Sequence, residues 1–230
     1  MRGHAGHATV ACLLAVITSF ARSLCRADQN RQRLEAELHR LAGEDELTGL
    51  PNRRQFEQDL RRDLALASRH HIPGALLMID LDRFKAVNDD HGHAAGDQLL
   101  QAISQALSQC LRNTDLRARL GGDEFVAYLA HSDQPAARQV AERVLASIRT
   151  TSAALGPGRQ TTASIGIATD HAASSDPTAM LNAADRAMYQ AKRDGGDRLA
   201  VWIPTAPRDT GLPTHNISSQ LAQATASARH

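Results

Sequence analysis

The fold of this chain is decided by residues 116–130, which read LRARLGGDEFVAYLA. Leucine and alanine alternate with arginine over residues 116–120, and an apolar run occupies residues 125–130. This pattern is typical of two short strands joined by a tight turn. We expect Gly121 and Gly122 to form that turn, because glycine tolerates a positive φ at both central positions. The sequence therefore predicts a β-hairpin.

Two carboxylates, Asp123 and Glu124, follow the predicted turn, and a second acidic pair lies upstream. Asp80 comes where the apolar run at residues 75–79 ends, so we expect its carboxylate at the end of a strand and not within the sheet. Asp82 would share its face, because side chains alternate along a strand. The plainer interpretation is that Asp80 caps that strand. Carboxylates beside a turn can instead hold Mg²⁺ against a phosphate, which favours metal-dependent phosphoryl or nucleotidyl transfer.

The rest of the chain alternates between helical and extended patterns. Helical apolar spacing occurs at residues 56–64, 99–110, 140–148 and 180–188, and apolar runs at 75–79, 161–168 and 199–203 predict strands. The last helix should stop near Gly195 and Gly196. Helices mixed with a hairpin predict an α+β fold: a mostly antiparallel central sheet flanked by helices and preceded by an N-terminal helix.

Composition bounds the class of protein. The chain has 230 residues, of which 42% are hydrophobic, which suits one domain with tails or two small domains. Its formal net charge of +1 gives no electrostatic reason to expect nucleic acid as a partner. Three cysteines without metal-ligand spacing fit a reducing compartment. Residues 204–230 lack apolar periodicity and are rich in Thr, Ser, Ala and Pro, so we expect a disordered tail.

Two further segments precede the predicted domain. Residues 8–21 are uncharged and mostly apolar, but shorter than the ~20 residues needed to span a bilayer. A signal-like segment, a membrane anchor or its remnant within residues 1–21, and an ordinary helix stay open as interpretations. Residues 22–44 form a predicted linker helix, in which residues 28–41 are charged and helix-favouring and Leu34, Leu38 and Leu41 share one face. This fits either a solvated linker helix or a dimerising coiled-coil stalk.

Several blocks occur in one order along the chain: DELTGLPNRR at residues 45–54, DLDRFK at 80–85, ND at 88–89, GH at 92–93, GD at 96–97, GGDEF at 121–125, SIGIA at 164–168 and AK at 191–192. In this order and spacing they resemble the GGDEF-type diguanylate cyclases. The resemblance covers residues 45–203 as one domain. It implies the palm-like sheet that the family shares with class III nucleotide cyclases and some polymerases.

The resemblance also implies a reaction, in which two GTP molecules are joined into cyclic di-GMP and two pyrophosphates are released. It implies Mg²⁺ or Mn²⁺ as the cofactor. Asp123 would act as general base or orient the attacking hydroxyl, Glu124 would support it, and Lys85 at a helix start would bind the triphosphate. The expected metal ligands are Asp80, the Leu81 carbonyl, Asp123 and Glu124.

Further residues would bind the substrate if the resemblance holds. Asn88 and Asp97 would read guanine, since a carboxylate accepts from its N1 and N2 protons and adenine lacks that donor pair. The plainer interpretation is an Asn-Asp turn and a helix N-cap at Asp97. The other expected contacts are Phe84 and Leu100 as apolar walls, His93 in the pocket, Gly121 and Gly122 in the turn, and Lys192 on phosphate.

Arg112 and Asp115 precede the hairpin at the spacing of the family's product-inhibition motif. The resemblance implies that they bind cyclic di-GMP at an allosteric site, with Arg112 holding guanine or phosphate bidentately. A surface ion pair is the nonspecific alternative. The chain departs from the family at Gly196, where many members carry an arginine. Either Arg198 replaces that contact or the contact is absent.

Two other functions compete with an active cyclase that works as a homodimer. A silent domain that only senses cyclic di-GMP should lack the turn carboxylates or the guanine-reading residues, and all of them are present. The second competitor is a related nucleotidyl transferase with another product, and the guanine-reading pair argues against ATP as its substrate. Because GTP is cytosolic, we expect a cytoplasmic protein, with attachment to the inner membrane through residues 8–21 left open.

Overall fold

The computed structural model describes residues 43–169 and 176–204. The expectations for the apolar segment, for the stalk as far as residue 42 and for the tail from residue 205 lie outside this part of the chain. None of the described helices combines the length and the apolar character needed to cross a bilayer. In chain order the elements are α1 (Arg53–His70), β1 (Gly74–Asp82), α2 (Phe84–His91), α3 (His93–Cys110), β2 (Leu116–Gly121), β3 (Glu124–Ala130), α4 (Gln134–Ala154), β4 (Thr162–Thr169), α5 (Pro177–Arg193) and β5 (Arg198–Val201).

The five strands form one sheet in the order β2-β3-β1-β4-β5. All neighbours are antiparallel except β4 and β5, which are parallel. The central strand β1 is buried along almost its whole length, because β3 and β4 flank it and helices cover both faces. The predicted α+β fold with a mostly antiparallel sheet is confirmed.

Each face of the sheet is covered by two of the longer helices. Leu77 and Ile79 of β1 belong to the core formed with α3 and α4. Leu76 and Met78 belong to the second core, formed with α1 and α5. This division follows from the alternation of side chains along a strand. Asp80 and the residues two apart from it therefore project from the face that α1 and α5 cover.

β1 is longer than the apolar run predicted. It continues to Asp82, and Asp80 pairs with Glu124 on one side and Ser164 on the other. The expectation that Asp80 stands at the end of the strand is therefore wrong. Acidic residues are depleted in strands, but β4 supplies backbone partners for all three added residues and β3 for the first of them.

The hairpin forms where predicted, but its turn is displaced by one residue. Gly121 pairs with Glu124, so the two linking residues are Gly122 and Asp123 and not the two glycines. Gly122 has a φ of 53°, while the φ of 141° at Gly121 accompanies a register shift between Arg119 and Gly121. Asp123 therefore lies in the turn itself.

Candidate active site

The acidic residues expected to bind metal meet at one end of β1 and β3. Asp80 lies opposite Glu124 in the ladder, so both carboxylates project from the same face of the sheet. Asp123 occupies the adjoining turn, and its carbonyl accepts a hydrogen bond from the Leu81 N–H at 3.3 Å. Asp80 is only 5% exposed, whereas Asp123 and Glu124 are half-buried. Two strands and one turn thus bring three carboxylates to one acidic edge.

Cations neutralise only part of this acidic edge. The Lys192 ammonium lies 2.6 Å from Asp80 Oδ2, and Arg53 lies 3.9 Å from Glu124. Burial raises the pKa of Asp80 to about 6; the hydrogen bond from Lys192 lowers it, and the Asp123 charge raises it. Burial likewise raises the pKa of Glu124, against the lowering effect of Arg53. The edge therefore favours the arrival of further positive charge.

The raised pKa of Asp80 makes the stability of the metal-free protein depend on pH. Its folded-state pKa of about 6 lies above the ordinary value of 3.8, so stability falls as pH rises between them. Asp80→Asn removes this cost, which approaches about 3 kcal/mol once the carboxyl ionises. In EDTA, we expect the melting temperature of Asp80→Asn, relative to the parent, to be higher at about pH 8 than at about pH 4. If the melting temperatures of Asp80→Asn and the parent differed by the same amount at both pH values, the raised pKa of Asp80 would be contradicted.

The acidic edge offers the oxygen donors that Mg²⁺ and Mn²⁺ prefer. Among the described residues, no set of three or more His, Cys, Asp or Glu side chains is arranged to hold a metal by itself. Mg²⁺ commonly uses one or two carboxylates and completes its shell with water and substrate phosphates. Asp80 already accepts one cation, the Lys192 ammonium. The residues present therefore fit a divalent ion at Asp80, with Asp123, Glu124 and the Leu81 carbonyl as further donors.

The residues expected to read guanine lie where α2 meets α3. Asn88 is in α2, and its Oδ1 lies so close to Gly96 of α3 that a side chain at position 96 would overlap it. Asp97, the next residue, is exposed in the second turn of α3. Because Gly92 precedes that helix, the alternative of an N-cap at Asp97 is wrong. The packing of α2 on α3 thus places Asn88 beside the residue that precedes Asp97.

The other expected substrate residues occupy different environments. Lys85 is exposed in the first turn of α2, and His93 is exposed as the first residue of α3. Phe84 is partly buried against the core, with its ring near Gly96. Leu100 is only 2% exposed within the core under α3. Core packing, and not an open pocket wall, is therefore the environment of Leu100.

Arg119 links the glycine turn to the first loop of the domain, a contact that sequence reasoning missed. Its Nη1 donates to both carboxylate oxygens of Asp45 at 3.0 Å, and its Nε and Nη2 donate to the Gly122 carbonyl at 3.0 and 2.7 Å. The Arg119 side chain is only 11% exposed. Burial acts to raise the pKa of Asp45, but hydrogen bonds from Thr48 and Arg119 outweigh it and lower that pKa. One guanidinium therefore holds two loops together.

Arg119→Lys should destabilise the domain, because one ammonium cannot bridge Asp45 and the Gly122 carbonyl in the way a planar guanidinium does. The unpaired groups should cost about 2 kcal/mol of the free energy of unfolding. For a domain of this size, we expect a melting temperature lower by about 4–8 °C, measured by circular dichroism. Arg117→Lys on the same strand is the matched control. Equal losses in the two variants would contradict a special role for Arg119.

Arg112 and Asp115 close a tight turn before β2. The Asp115 carboxylate accepts the Arg112 N–H at 2.8 Å, and the Asp115 N–H donates to the Arg112 carbonyl at 3.1 Å. Asp115 is 7% exposed, whereas Arg112 is exposed. A cavity of about 670 Å³ adjoins this turn and is lined by Thr48, Asp59 and Arg117, among others. Of the expected allosteric pair, Asp115 thus lines the cavity and is engaged by the backbone, whereas Arg112 is exposed and does not line it.

The departure at Gly196 coincides with a close contact. A Cβ at position 196 would lie 3.0 Å from both carboxylate oxygens of Asp82. Arg198 folds back on the same turn, where its Nε donates to the Gly196 carbonyl at 3.0 Å. Arg53, the first residue of α1, is a cation at the acidic edge that sequence reasoning did not identify. The charge of Asp185 in α5 also raises the pKa of Glu124, an effect that the sequence did not predict.

Comparison with known proteins identifies a family that matches most of the chain. The chain matches the family model described as diguanylate cyclase, GGDEF domain, over residues 42–198. It is 45% identical over 169 residues to the diguanylate cyclase TpbB of Pseudomonas aeruginosa, covering 72% of this chain and 39% of TpbB. The chain spans about a third of the length of the curated relatives it matches.

Solved structures share the fold. The isolated GGDEF domain of TpbB is 42% identical, with a TM-score of 0.63 over 69% of this chain and 94% of that one. The coiled coil and GGDEF domain of DgcB from Caulobacter crescentus, solved in complex with c-di-GMP, is 26% identical, with a TM-score of 0.69 over 81% of this chain and 99% of that one. Because the family model covers most of the chain and close relatives share the sheet, the chain belongs to the GGDEF-domain family of diguanylate cyclases.

Proposed function

We propose that the protein is a diguanylate cyclase, which condenses two GTP molecules into cyclic di-GMP and releases two pyrophosphates. The observation that carries this proposal is the acidic edge, where Asp80 and Glu124 face each other across β1 and β3 beside Asp123 in the turn. The name of TpbB and the ligand in the DgcB structure support the same product. Asn88 and Asp97, where α2 meets α3, would select guanine over adenine.

The proposed roles follow from the positions of the side chains. The 3′-hydroxyl of one GTP attacks the α-phosphate of the other, its proton passes to Asp123, and pyrophosphate leaves; a second attack closes the ring. A divalent ion held at Asp80 would supply a Lewis acid for the phosphate and the hydroxyl. Glu124 would support the ion and the hydroxyl. Lys85 and Lys192 would bind the triphosphate, since an ammonium suits phosphate oxygens.

A homodimer completes the proposed reaction. One domain offers one guanine-reading pair, so two domains must face each other to join two nucleotides into a symmetric product. We place the contact between subunits in the stalk at residues 22–44, which would hold the two domains in register. The protein would act in the cytoplasm, where GTP is available, and residues 8–21 would be the point of any membrane attachment.

The experiment that tests this function is chromatography of the products after the full chain is incubated with Mg²⁺ and either GTP or ATP. Cyclic di-GMP from GTP alone is the expected result. If no product forms, dimers should be enforced through a fused coiled coil and the assay repeated. A dimer that binds cyclic di-GMP but makes none would overturn the cyclase proposal in favour of a receptor.

Product inhibition is proposed to act through Arg112 and Asp115. Arg112→Ala should relieve inhibition by cyclic di-GMP and raise its inhibition constant about 10- to 100-fold, because hydrogen bonds from a charged group are lost. The initial rate should not change, since Arg112 lies away from the acidic edge. Rates measured with and without added cyclic di-GMP give both values. Arg117→Ala, beside the same cavity, is the comparison, and inhibition unchanged by Arg112→Ala would remove this site.

A further inference from the structure

Asp82, two residues after Asp80 in β1, accepts an unusually large number of hydrogen bonds. Its carboxylate accepts from Thr162 Oγ1 at 2.6 Å, from Ser164 Oγ at 2.7 Å and from the Asp197 N–H at 2.8 Å. Its carbonyl accepts from Thr161 Oγ1 at 2.6 Å. Three donors, from β4 and from the turn after α5, therefore converge on one carboxylate at the end of β1. A carboxylate with these partners is committed to the protein and is not offered to a metal.

The turn that Asp82 holds is the one that ends α5. The Gly195 N–H donates to the Lys192 carbonyl at 3.1 Å, and the Gly196 N–H donates to the Ala191 carbonyl at 3.0 Å. These two bonds form the Schellman arrangement that closes many helices. Gly196 has a φ of 72°, and its missing Cβ leaves space for the Asp82 carboxylate against its backbone. The position of this turn and that of the Lys192 backbone are therefore linked.

These contacts connect Asp82 to Asp80 of the acidic edge through the end of α5, and β1 closes the connection into a ring. From Asp82 the ring runs through Asp197 and the helix-ending turn to Lys192, whose ammonium lies 2.6 Å from Asp80. The backbone of β1 then connects Asp80 to Asp82 through Leu81. Arg149 also holds Asp197, at 2.7 Å, but both side chains are more than 40% exposed, so this outer pair is worth little. Half-buried Asp82 is therefore the main link between β1 and the turn.

We propose that Asp82 is a positioning residue, which sets the Lys192 ammonium on Asp80 by anchoring the turn that ends α5. Asp82 touches neither substrate nor metal in this role. Only the consequence for catalysis rests on the proposed function, in which Lys192 binds the triphosphate of GTP. The anchoring itself is a property of the protein without any ligand, and it can be tested without nucleotide.

The chain has two lysines, Lys85 and Lys192, which makes a labelling experiment direct. An amine-reactive acetylating reagent is added to the full chain without nucleotide or metal, and the rate at each lysine is measured by mass spectrometry. Exposed Lys85 is the internal reference. In Asp82→Ala, the labelling ratio of Lys192 to Lys85 should rise about tenfold, towards the ratio in Asp80→Asn, because the Lys192 amine is no longer held against Asp80 by a hydrogen bond between charged groups.

Conservative variants separate positioning from general damage. Asp82→Asn should keep a ratio close to the parent, since an amide can accept the Asp197 N–H and exchange bonds with both hydroxyls. Ser164→Ala removes one of the three donors to the Asp82 carboxylate and should raise the labelling ratio by less than Asp82→Ala does. Ser132 is another buried serine, whose hydroxyl donates to the Ala130 carbonyl at 3.3 Å, and Ser132→Ala should leave the ratio unchanged. If Asp82→Ala does not fold, Ser164→Ala and Thr162→Val carry the test.

Kinetics supply the second readout. Asp82→Ala should raise the KM for GTP more than it lowers kcat, and should have little further effect in a Lys192→Met background, because both changes remove one interaction. An unchanged labelling ratio in Asp82→Ala would overturn the inference. If Asp82→Ala does not fold, an unchanged ratio in both Ser164→Ala and Thr162→Val would do so. So would fully additive effects with Lys192→Met. If Asp82→Ala raises the labelling ratio but the parent protein makes no cyclic di-GMP, the anchoring role is upheld and the cyclase proposal is not.

Discussion

Asp123→Asn should abolish cyclic di-GMP synthesis, with a loss in kcat of at least about 10³-fold. The substitution keeps the size of the side chain but removes the negative charge that would hold the metal and take the proton of the attacking hydroxyl. The turn should survive, because its bond to the Leu81 N–H comes from the Asp123 carbonyl and not from the side chain. Initial rates and the melting temperature should be measured on the same protein.

Asp133→Asn is the matched control for Asp123→Asn. Asp133 also lies in a turn next to β3, where its carboxylate caps α4 by accepting the Ala136 N–H at 3.0 Å. Asparagine caps a helix about as well as aspartate, so rate and stability should match the parent. Turnover retained by Asp123→Asn, with a normal melting temperature, would refute the roles assigned to the turn carboxylate.

Asp97→Asn should weaken the use of GTP about 100-fold in kcat/KM, because a charged acceptor of two guanine protons is replaced by a group that is partly a donor. Asp97 is exposed on α3 and follows Gly96, which packs against Asn88. Steady-state rates with GTP and with ITP, which lacks the 2-amino group, provide the measurement. The parent should prefer GTP to ITP, and Asp97→Asn should lose most of that preference.

Asp90→Asn controls for the loss of charge near the same helices. Asp90 is exposed in α2 and has no assigned part in binding guanine. Its removal should change GTP and ITP alike and by less than about threefold, as for other surface substitutions. If Asp97→Asn kept the preference of the parent for GTP over ITP, the carboxylate could not be the group that reads the 2-amino position.

Most elements of the fold could be predicted because their signals are local. The recurrence of Phe56, Leu60 and Leu64 predicts one face of α1, and all three are buried. The end of α5 was expected near Gly195 and Gly196, and the helix ends at Arg193. These predictions succeed because helical periodicity and glycine stop signals act within a few residues.

Boundaries that depend on neighbouring strands were predicted less well. Acidic residues suggest that β1 stops at Ile79, yet the strand continues to Asp82, because β3 pairs with it as far as Asp80 and β4 as far as Asp82. The turn was expected at Gly121 and Gly122, and the pairing of Gly121 with Glu124 moves it by one residue. In both cases, hydrogen bonds to another part of the chain outweigh local preference.

The sequence by itself determined the type of fold and the residue types of the acidic edge, because apolar periodicity and the carboxylates at Asp80, Asp123 and Glu124 are visible locally. Only the tertiary structure assigned partners to Arg119 and Asp82. Arg119 binds Asp45 across 74 positions, and the Asp197 N–H reaches Asp82 across 115. No local pattern encodes such a pair, since each contact exists only once the sheet has brought distant loops together. The carboxylates of the acidic edge are therefore visible in the sequence, whereas the contacts of Arg119 and Asp82 depend on folding.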